Sequence, residues 1–301
     1  MSKSKILRVP LLGRAALVLD EHGEAEGYPG GLGFKTNVSA RVIRNGKPVE
    51  ARKVWEGSTF LNRMINRHED PTLIDLGSGL VTNIGAMSLA NDWNWASPAT
   101  AVNTLKLANW HATGTGATAA SALDFKIQTI SANGGQTPIA GTQTIATATT
   151  MAVPVLQTVA TIAYTGSEAV TEWGLHTSNT LSSTTGTPFT ADTATSFTAT
   201  ATPFTASSSI VQGLQSQVVI PGTTTVIGLI GSNTTSVGTL VNNGTTGWFT
   251  QAAMTAGATP GTTETFTLRP VMWDHKVFAA INVLNGDSIQ FTYKLTVTSG
   301  G

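Results

Sequence analysis

The 301-residue chain is long enough for one large all-β domain or two smaller ones, each with a sizeable core. Its 17 basic and 17 acidic residues cancel, and charged residues make up 11% of the chain, against roughly 25% in an average soluble domain. This balance lacks the electrostatic footprint of a nucleic-acid or anionic-membrane binder, so we expect neither partner. A surface with so few charges favours association, and we expect one subunit of an assembly.

The lack of cysteine and the predicted lack of targeting signals further narrow the class of protein. The chain has no cysteine, which excludes disulfides, thiolate metal sites and a cysteine nucleophile. Arg8, Pro10 and Arg14 interrupt the apolar run at the N-terminus, so we predict no signal peptide. No stretch reaches the roughly 18 continuous apolar residues of a spanning helix, which predicts a soluble or peripheral protein.

Basic residues are concentrated at the start of the chain. Twelve of the 17 Lys and Arg precede residue 77, and none lies within 127–268. Residues 1–36 mix basic and apolar side chains and then acids, without a stable period. We predict an extended N-terminal arm, either a disordered terminus or a segment that orders against a neighbouring subunit.

Residues 37–79 are predicted to form a hairpin and a short helix. The dipeptide Asn45-Gly46 readily takes the positive φ values of a tight turn, which predicts a hairpin spanning roughly 37–55. Apolar residues then recur at helical spacing over 58–71, after a serine suited to the N-cap and before a proline.

Residues 80–301 are predicted to form a β-sandwich domain. Leu80, Ile84 and Met87 share one face of a second short helix. Asn285-Gly286-Asp287 indicates a hairpin between the last two strands. Thr-rich and β-branched segments predict further strands, namely TLKLANWHATGTG, FKIQTIS, TQTIATATTM, VATIAYTG, SQVVIP, TTVIGLIG, ETFTLRPVMW, KVFAAINV and SIQFTYKLTVTS. The expected fold is mainly β, a jelly-roll or Ig-like sandwich with an arm, a hairpin and short helices.

Four short motifs resemble a family of structural proteins of tailed-bacteriophage virions. These are a "TN-G" helix, a "GTG-T-A" turn, an "E-GL" strand and a closing strand pair joined around "GD". The resemblance covers about residues 80–181 and 265–301. The matching residues are Thr82, Asn83, Gly85, Gly114, Thr115, Gly116, Glu172, Gly174, Leu175, Gly286 and Asp287.

The chain departs from shorter members of that pattern by a Thr-rich insertion at about 182–263, in which TPFTA occurs twice. Phe197, Ala199 and Ala201 alternate there with threonines, a strand pattern, and a proline precedes the phenylalanine of each repeat. We predict ordered strands held by neighbours and not a free linker.

The resemblance implies a virion protein made in the host cytoplasm, with other copies of itself and other virion proteins as partners. Head decoration or minor capsid is the first interpretation, acting through subunit contacts without catalysis or a cofactor. A tail or fibre protein that binds a host-surface glycan is the alternative. A glycan depolymerase is a remote alternative.

Residues that could carry chemistry form no recognised pattern. The histidines lack metal-ligand spacing and are scattered singly, at His22, His68, His111, His176 and His275. In WDHK, alternation along a strand would put Trp273 and His275 on one face and Asp274 and Lys276 on the other, with a structural salt link. A glycosidase would need Glu168 or Glu172 paired with another carboxylate in a cleft. We predict no catalytic residue, metal site or cofactor site.

Seven tryptophans are many for so uncharged a chain. They could be core residues, anchors between subunits or platforms for sugars. Core and subunit contact together are the favoured interpretation, and the candidate interface anchors are Trp93, Trp95, Trp110, Trp173, Trp248 and Trp273.

Overall fold

The computed structural model describes residues 6–7, 17–19, 25–26, 32–57, 70–86, 108–147, 154–179, 181, 184–185, 189–199, 216–220, 225–234, 236–240, 245–261 and 264–299. This part of the chain is mainly β, and all of its strand pairs are antiparallel. The predicted fold class is therefore confirmed.

The strands of the first half alternate with turns and short loops. In chain order they are β1 Ile6–Leu7, β2 Leu17–Leu19, β3 Ala25–Glu26, β4 Leu32–Arg44, β5 Lys47–Pro48, β6 Ile74–Gly77, β7 Leu80–Val81, β8 Trp110–Gly114, β9 Ile139–Ala140 and β10 Thr142–Thr147. A single 3-10 turn, Ala51–Lys53, follows β5.

The second half contributes the remaining strands. They are β11 Pro154–Ala163, β12 Glu168–His176, β13 Thr184–Thr185, β14 Phe189–Asp192, β15 Ser196–Ala199, β16 Ser216–Ile220, β17 Val226–Asn233, β18 Val237–Leu240, β19 Phe249–Thr250, β20 Thr267–Pro270, β21 Met272–Val283 and β22 Ser288–Ser299.

Two sheets form a β-sandwich. The first has the order β10-β11-β22-β4-β5, with β6 also on β4, and the second has the order β7-β21-β12-β8-β9. Inward side chains of both sheets share one core, in which Trp173 stacks on Phe291 and Tyr293 with ring centroids 6.3 and 5.7 Å apart. Burial of these rings supplies much of the hydrophobic stabilisation. The jelly-roll or Ig-like subclass stays a prediction.

The N-terminal strand β4 belongs to this sandwich. It pairs with β22 at every position from Leu32–Ser299 to Ile43–Ser288. The strand thus runs across the predicted boundary between the arm (1–36) and the hairpin segment (37–79). The hairpin at Asn45-Gly46 is confirmed, since both residues have positive φ and β4 pairs with β5 across them.

The hairpin predicted at Asn285-Gly286-Asp287 is wrong. Gly286 has the expected positive φ of 86°, but β21 pairs with β12 and β7 whereas β22 pairs with β11 and β4. The turn therefore carries the chain from one sheet to the other. A turn sequence sets local φ values, and the choice of strand partner depends on the core that the strands share.

The helix predictions fall mostly outside the described residues, but the predicted start of the second helix at Leu80 is wrong, because Leu80–Val81 is strand β7 and pairs with β21. Of 58–71, only Asp70 and Pro71 are described. Residues 83–86 form one helical turn, and Thr82 caps it by accepting a hydrogen bond at Oγ1 from the Gly85 amide, 3.0 Å away. The strand predicted at 125–131 is wrong, because this segment makes only one bridge, from Ile130 to Gly114.

Strands of the Thr-rich insertion join a third sheet, of order β13-β20-β16-β17-β18-β15-β14 with β19 on β17. Phe197 and Ala199 are buried in its core, as their alternation predicts. The first TPFTA copy enters β14 at Phe189, which pairs with Ala199. The second copy lies outside the described residues.

Candidate functional site

A loop covers the outer face of the second sheet. This strap, residues 115–130, leaves the end of β8 and returns to it at the bridge between Gly114 and Ile130. Beneath it lie Glu172 on β12 and His275 on β21, and both side chains are fully buried. Because Gly174 is the register partner of His275, Glu172 and His275 are diagonal neighbours on one face.

His275 is held between two carboxylates. Its Nδ1 lies 2.6 Å from Oδ2 of Asp124 in the strap, and its Nε2 lies 2.9 Å from Oε1 of Glu172. Burial opposes the charged imidazole, but the bonds to Glu172 and Asp124 outweigh that effect and raise the His275 pKa above its usual 6.5. The arrangement is an Asp–imidazolium–Glu triad.

Glu172 also fastens both ends of the strap. Its Oε2 accepts from the amides of Gly116 (3.2 Å) and Thr129 (3.3 Å), and its Oε1 accepts from the Gln128 amide as well as from His275. Four donors occupy the four acceptor positions of one carboxylate. These bonds use the amides that the predicted strand at 125–131 would need for a ladder, which explains its absence.

The family-like glycines make room for these bonds. A Cβ on Gly116 would collide with Glu172 Oε2, and one on Gly114 would collide with the Thr129 carbonyl oxygen. A Cβ on Gly174 would lie 2.9 Å from atoms of His176, Ile127 and Met272. Glycine is therefore required by close packing at all three positions.

The "GD" turn has a separate anchor. The Asp287 carboxylate accepts from Arg44 Nε (2.8 Å) and Nη2 (2.7 Å) on β4, and from the Leu284 amide (2.8 Å). Gly286 supplies the positive φ. The hydrogen bonds explain the need for Asp287, and the positive φ explains the need for Gly286.

On the core side of the second sheet, His111 pairs with a tryptophan. Trp173 Nε1 donates to His111 Nδ1 at 3.1 Å, so the ring proton sits on Nε2, which donates to Thr158 Oγ1 at 3.1 Å. Complete burial, with a smaller contribution from nearby His176, lowers the His111 pKa to about 3. The ring is neutral and structural.

His176 is buried on the strap side with no hydrogen-bond partner at either ring nitrogen. Burial, together with the neighbouring His275, lowers its pKa to about 3. The ring is therefore a neutral packing element beside the charged triad.

Asp274 is a buried acid inside the sandwich. Neither carboxylate oxygen has a partner at standard hydrogen-bond geometry. Burial raises its pKa to about 7, although the nearby hydroxyls of Tyr293 and Thr36 counter part of that rise. Gly79 packs directly against this carboxylate, with no space for a Cβ.

The predicted facing of WDHK is partly wrong. Asp274 and Lys276 do lie opposite to His275, but Trp273 lies with them, because a register shift between Leu175 and His176 leaves it as an extra residue. Lys276 Nζ donates to the Ser78 carbonyl at 2.7 Å. The salt link predicted within this motif is not found, because the Asp274 carboxylate has no ion-pair partner among the described residues and His275 instead pairs with Asp124 and Glu172, which lie outside the motif.

Three candidate interface anchors are core residues instead. Trp173, Trp248 and Trp273 are at most 1% exposed. Their Nε1 groups donate to His111, to the Thr193 carbonyl (2.8 Å) and to the Tyr293 hydroxyl (2.9 Å). They cannot reach a partner or a sugar, since the chain's own core encloses them. Trp110 is half-buried and stays a prediction, and Trp93 and Trp95 lie outside the described residues.

The glutamates considered for glycan cleavage are engaged in the fold. Glu172 is fully buried beneath the strap, and Glu168 accepts from the Ser131 hydroxyl and from the Ala132 amide (3.0 Å). A small cleft that neither glutamate lines is formed by Asn83, Ile84, Ala122, Leu123, Asp124, Ile227 and Gln251, and its volume of about 10 Å³ is at the limit for one water molecule.

The described ranges contain no group of three His, Cys, Asp or Glu residues arranged for a metal ion. Within the same part of the chain, every helix is too short or too polar to span a bilayer.

Asp124 is the member of the triad that sequence reasoning missed. It lies 48 residues before Glu172, and no spacing rule connects them. The available signal was scarcity of charge, since an isolated acid in a nearly uncharged stretch is a candidate for a specific partner.

No family model, curated protein or solved structure matches this chain.

Proposed function

We propose that the chain is a structural component of a tailed-phage virion, in the first instance a head decoration or minor capsid protein, and that it acts through subunit contacts without catalysis. The observation that carries the non-catalytic part is the saturation of Glu172. Its four acceptor positions are filled by the fold, and its partner His275 is bonded at both ring nitrogens.

The virion assignment rests on the motif resemblance. Two of its motifs, far apart in sequence, meet in this cluster: Gly116 of "GTG-T-A" donates to Glu172 of "E-GL". The "GD" residue Asp287 is bonded to Arg44. Because these motif residues have packing and hydrogen-bonding roles, the four motifs can serve as a signature of one fold.

Strand β10 is the contact that we assign to assembly. It lies at the end of the first sheet and pairs with β11 at all six positions without a bulge. The sequence TQTIAT has no charge and no proline. Natural sheet edges are usually protected by such devices, so an edge that lacks them within the described residues suits pairing with another strand. Because Trp173, Trp248 and Trp273 are buried, we assign the contact to backbone pairing at this edge.

Mass spectrometry of gradient-purified virions, produced from the genome that encodes this chain, tests the assignment. The chain should co-purify with particles in a fixed ratio to the major capsid protein. A cryo-EM map should then show it as density on the head. Absence from purified particles would overturn the virion role, and density on the tail would overturn the head assignment.

A substitution tests the edge contact separately. Thr144→Lys places a charge at an exposed position of β10, whereas Thr161→Lys places the same charge at an exposed position of β11 that β10 does not reach. We expect at least a tenfold loss of particle occupancy for the first variant and little change for the second. Equal occupancy would remove β10 as the contact.

The glycan-binding alternative requires aromatic side chains on an outer surface. Of the candidate tryptophans in the described residues, only Trp110 is partly exposed. A glycan array probed with the purified chain is expected to show no binding above background. Binding that is lost in Trp110→Ala would favour the tail or fibre role.

A further inference from the structure

We propose that the middle of the strap, residues 117–127, is a proton-controlled latch that His275 holds closed as an imidazolium and releases when the ring loses its proton. The device is independent of the virion role and rests on the geometry of three side chains.

Only the charged ring satisfies both neighbours. An imidazolium has two N–H donors, and here each points at a carboxylate oxygen. A neutral ring has one N–H and one lone pair, so a lone pair would face an oxygen of Asp124 or Glu172. Because His275 is fully buried, water cannot bridge that contact without opening the strap.

Asp124 is the contact that yields. Glu172 keeps three backbone donors after His275 is deprotonated. Asp124 is 20% exposed, and its carboxylate also accepts from the amide of Ser121, within the strap itself. Once the ring is neutral, Asp124 gains more from water than from His275, while both ends of the strap stay fastened at Glu172.

Besides the packing of the buried Ile127 side chain, two weaker contacts then hold the segment. The Asn83 amide donates to the Ala122 carbonyl at 2.8 Å, and the Arg269 guanidinium lies 4.6 Å from the Phe125 ring centroid. Asn83 and Ala122 line the small cleft at Leu123. Loss of the two contacts would widen that cleft and uncover the apolar cluster of Ala112, Ile127, Leu181 and Met272.

The charges around His275 determine whether the latch opens at high or at low pH. Glu172 and His176 face His275 from β12, and Asp124 and Lys126 belong to the strap. Asp274, on the opposite face of the same strand, is also close enough to interact. His176 stays neutral, so the two carboxylates dominate and favour the closed, protonated state. The latch is closed below pH 6.5 and opens as pH rises through the higher folded pKa of His275.

Hydrogen exchange and NMR of the intact chain test this proposal. After correction for the intrinsic pH dependence of exchange, protection of residues 117–127 should fall at least tenfold between pH 6 and pH 9 in wild type. Protection in β22 should not change. Nitrogen-15 shifts of the His275 ring should show two N–H groups at pH 6.5 and lose one over the same pH range.

Asp124→Asn removes one anionic partner and should shift this opening to lower pH by about one unit. The matched control is Asp75→Asn, in which an exposed carboxylate bonded to Asn37 is neutralised away from the strap. His275→Gln should leave the segment open at every pH. A neutral His275 ring at pH 6.5, or protection that does not follow its titration, would overturn the latch in wild type even if a variant failed to fold.

Discussion

His275 on β21 donates from Nε2 to Oε1 of Glu172 on β12 across 2.9 Å, and neither side chain is exposed. The bond joins neighbouring strands of one sheet. Glu172 in turn binds the amides of Gly116, Gln128 and Thr129. One carboxylate therefore connects two central strands to the loop that covers them.

Glu172→Gln should be strongly destabilising. The amide leaves the His275 charge without its buried counter-ion and cannot accept from all four donors, so the free energy of unfolding should fall by about 3–5 kcal/mol. Urea denaturation at pH 6 measures the change. Glu264→Gln, at an exposed position, is the control and should alter it by less than about 0.5 kcal/mol. Equal effects of the two variants would contradict the proposed role of Glu172 in connecting the strands to the strap.

Asp274→Asn should remove a loss of stability that occurs as pH rises from about 4 to about 7. The folded pKa is about 7, above the ordinary value of 3.8, so between these pH values the folded state holds a proton that the unfolded state has released. Stability therefore falls as pH rises over that window, by up to about 4 kcal/mol. The change in stability between pH 4 and pH 8, measured by thermal unfolding, should be more favourable in the variant than in wild type, because the other titrating groups are common to both proteins. The same change in both proteins would contradict the buried-acid assignment.

Acid should destabilise the fold through His111 and His176. Both have folded pKa values of about 3 against an ordinary 6.5, so the unfolded state binds more protons between these values. The stabilisation that depends on these two neutral rings is complete above pH 6.5 and declines as pH falls, by about 1.4 kcal/mol per pH unit for each ring. In unfolding titrations, His111→Gln should reduce the slope of the free energy of unfolding against pH by the contribution of one ring.

Thr158→Val is the matched control for that slope. It removes the acceptor of His111 Nε2 without removing the titrating ring. It should lower stability by about 1–3 kcal/mol at neutral pH because a buried donor loses its partner. The decline with acid should remain. A flattened slope in this control would mean that His111 is not the group that titrates.

Gly114→Ala should disturb the fastening of the strap, because the new Cβ would collide with the backbone oxygen of Thr129. We expect a loss of about 1–3 kcal/mol in the free energy of unfolding. Gly261→Ala is the control, since the nearest atom to a Cβ there is 4.0 Å away. Calorimetry should separate the two variants, and identical melting temperatures would contradict the close packing at Gly114.

Several local features could be predicted from the sequence because neighbouring residues determine them. Asn45-Gly46 specified a tight turn, and alternation at Phe197 and Ala199 specified a strand with one buried face. The last strand, Ser288–Ser299, has the predicted limits. Scarcity of charge and a Thr-rich composition also indicated the mainly β class, since such segments favour a pleated, half-buried surface.

Only the tertiary structure decided which distant groups meet. The same kind of turn that makes a hairpin at Asn45-Gly46 carries the chain between sheets at Gly286, because strand partners are chosen by the shared core. Trp173, Trp248 and Trp273 are equally compatible with a core or an interface until packing encloses them. Asp124, Glu172 and His275 each look unremarkable in sequence. Their charge state and role arise from burial at hydrogen-bond distance, which is a property of three segments brought together by folding.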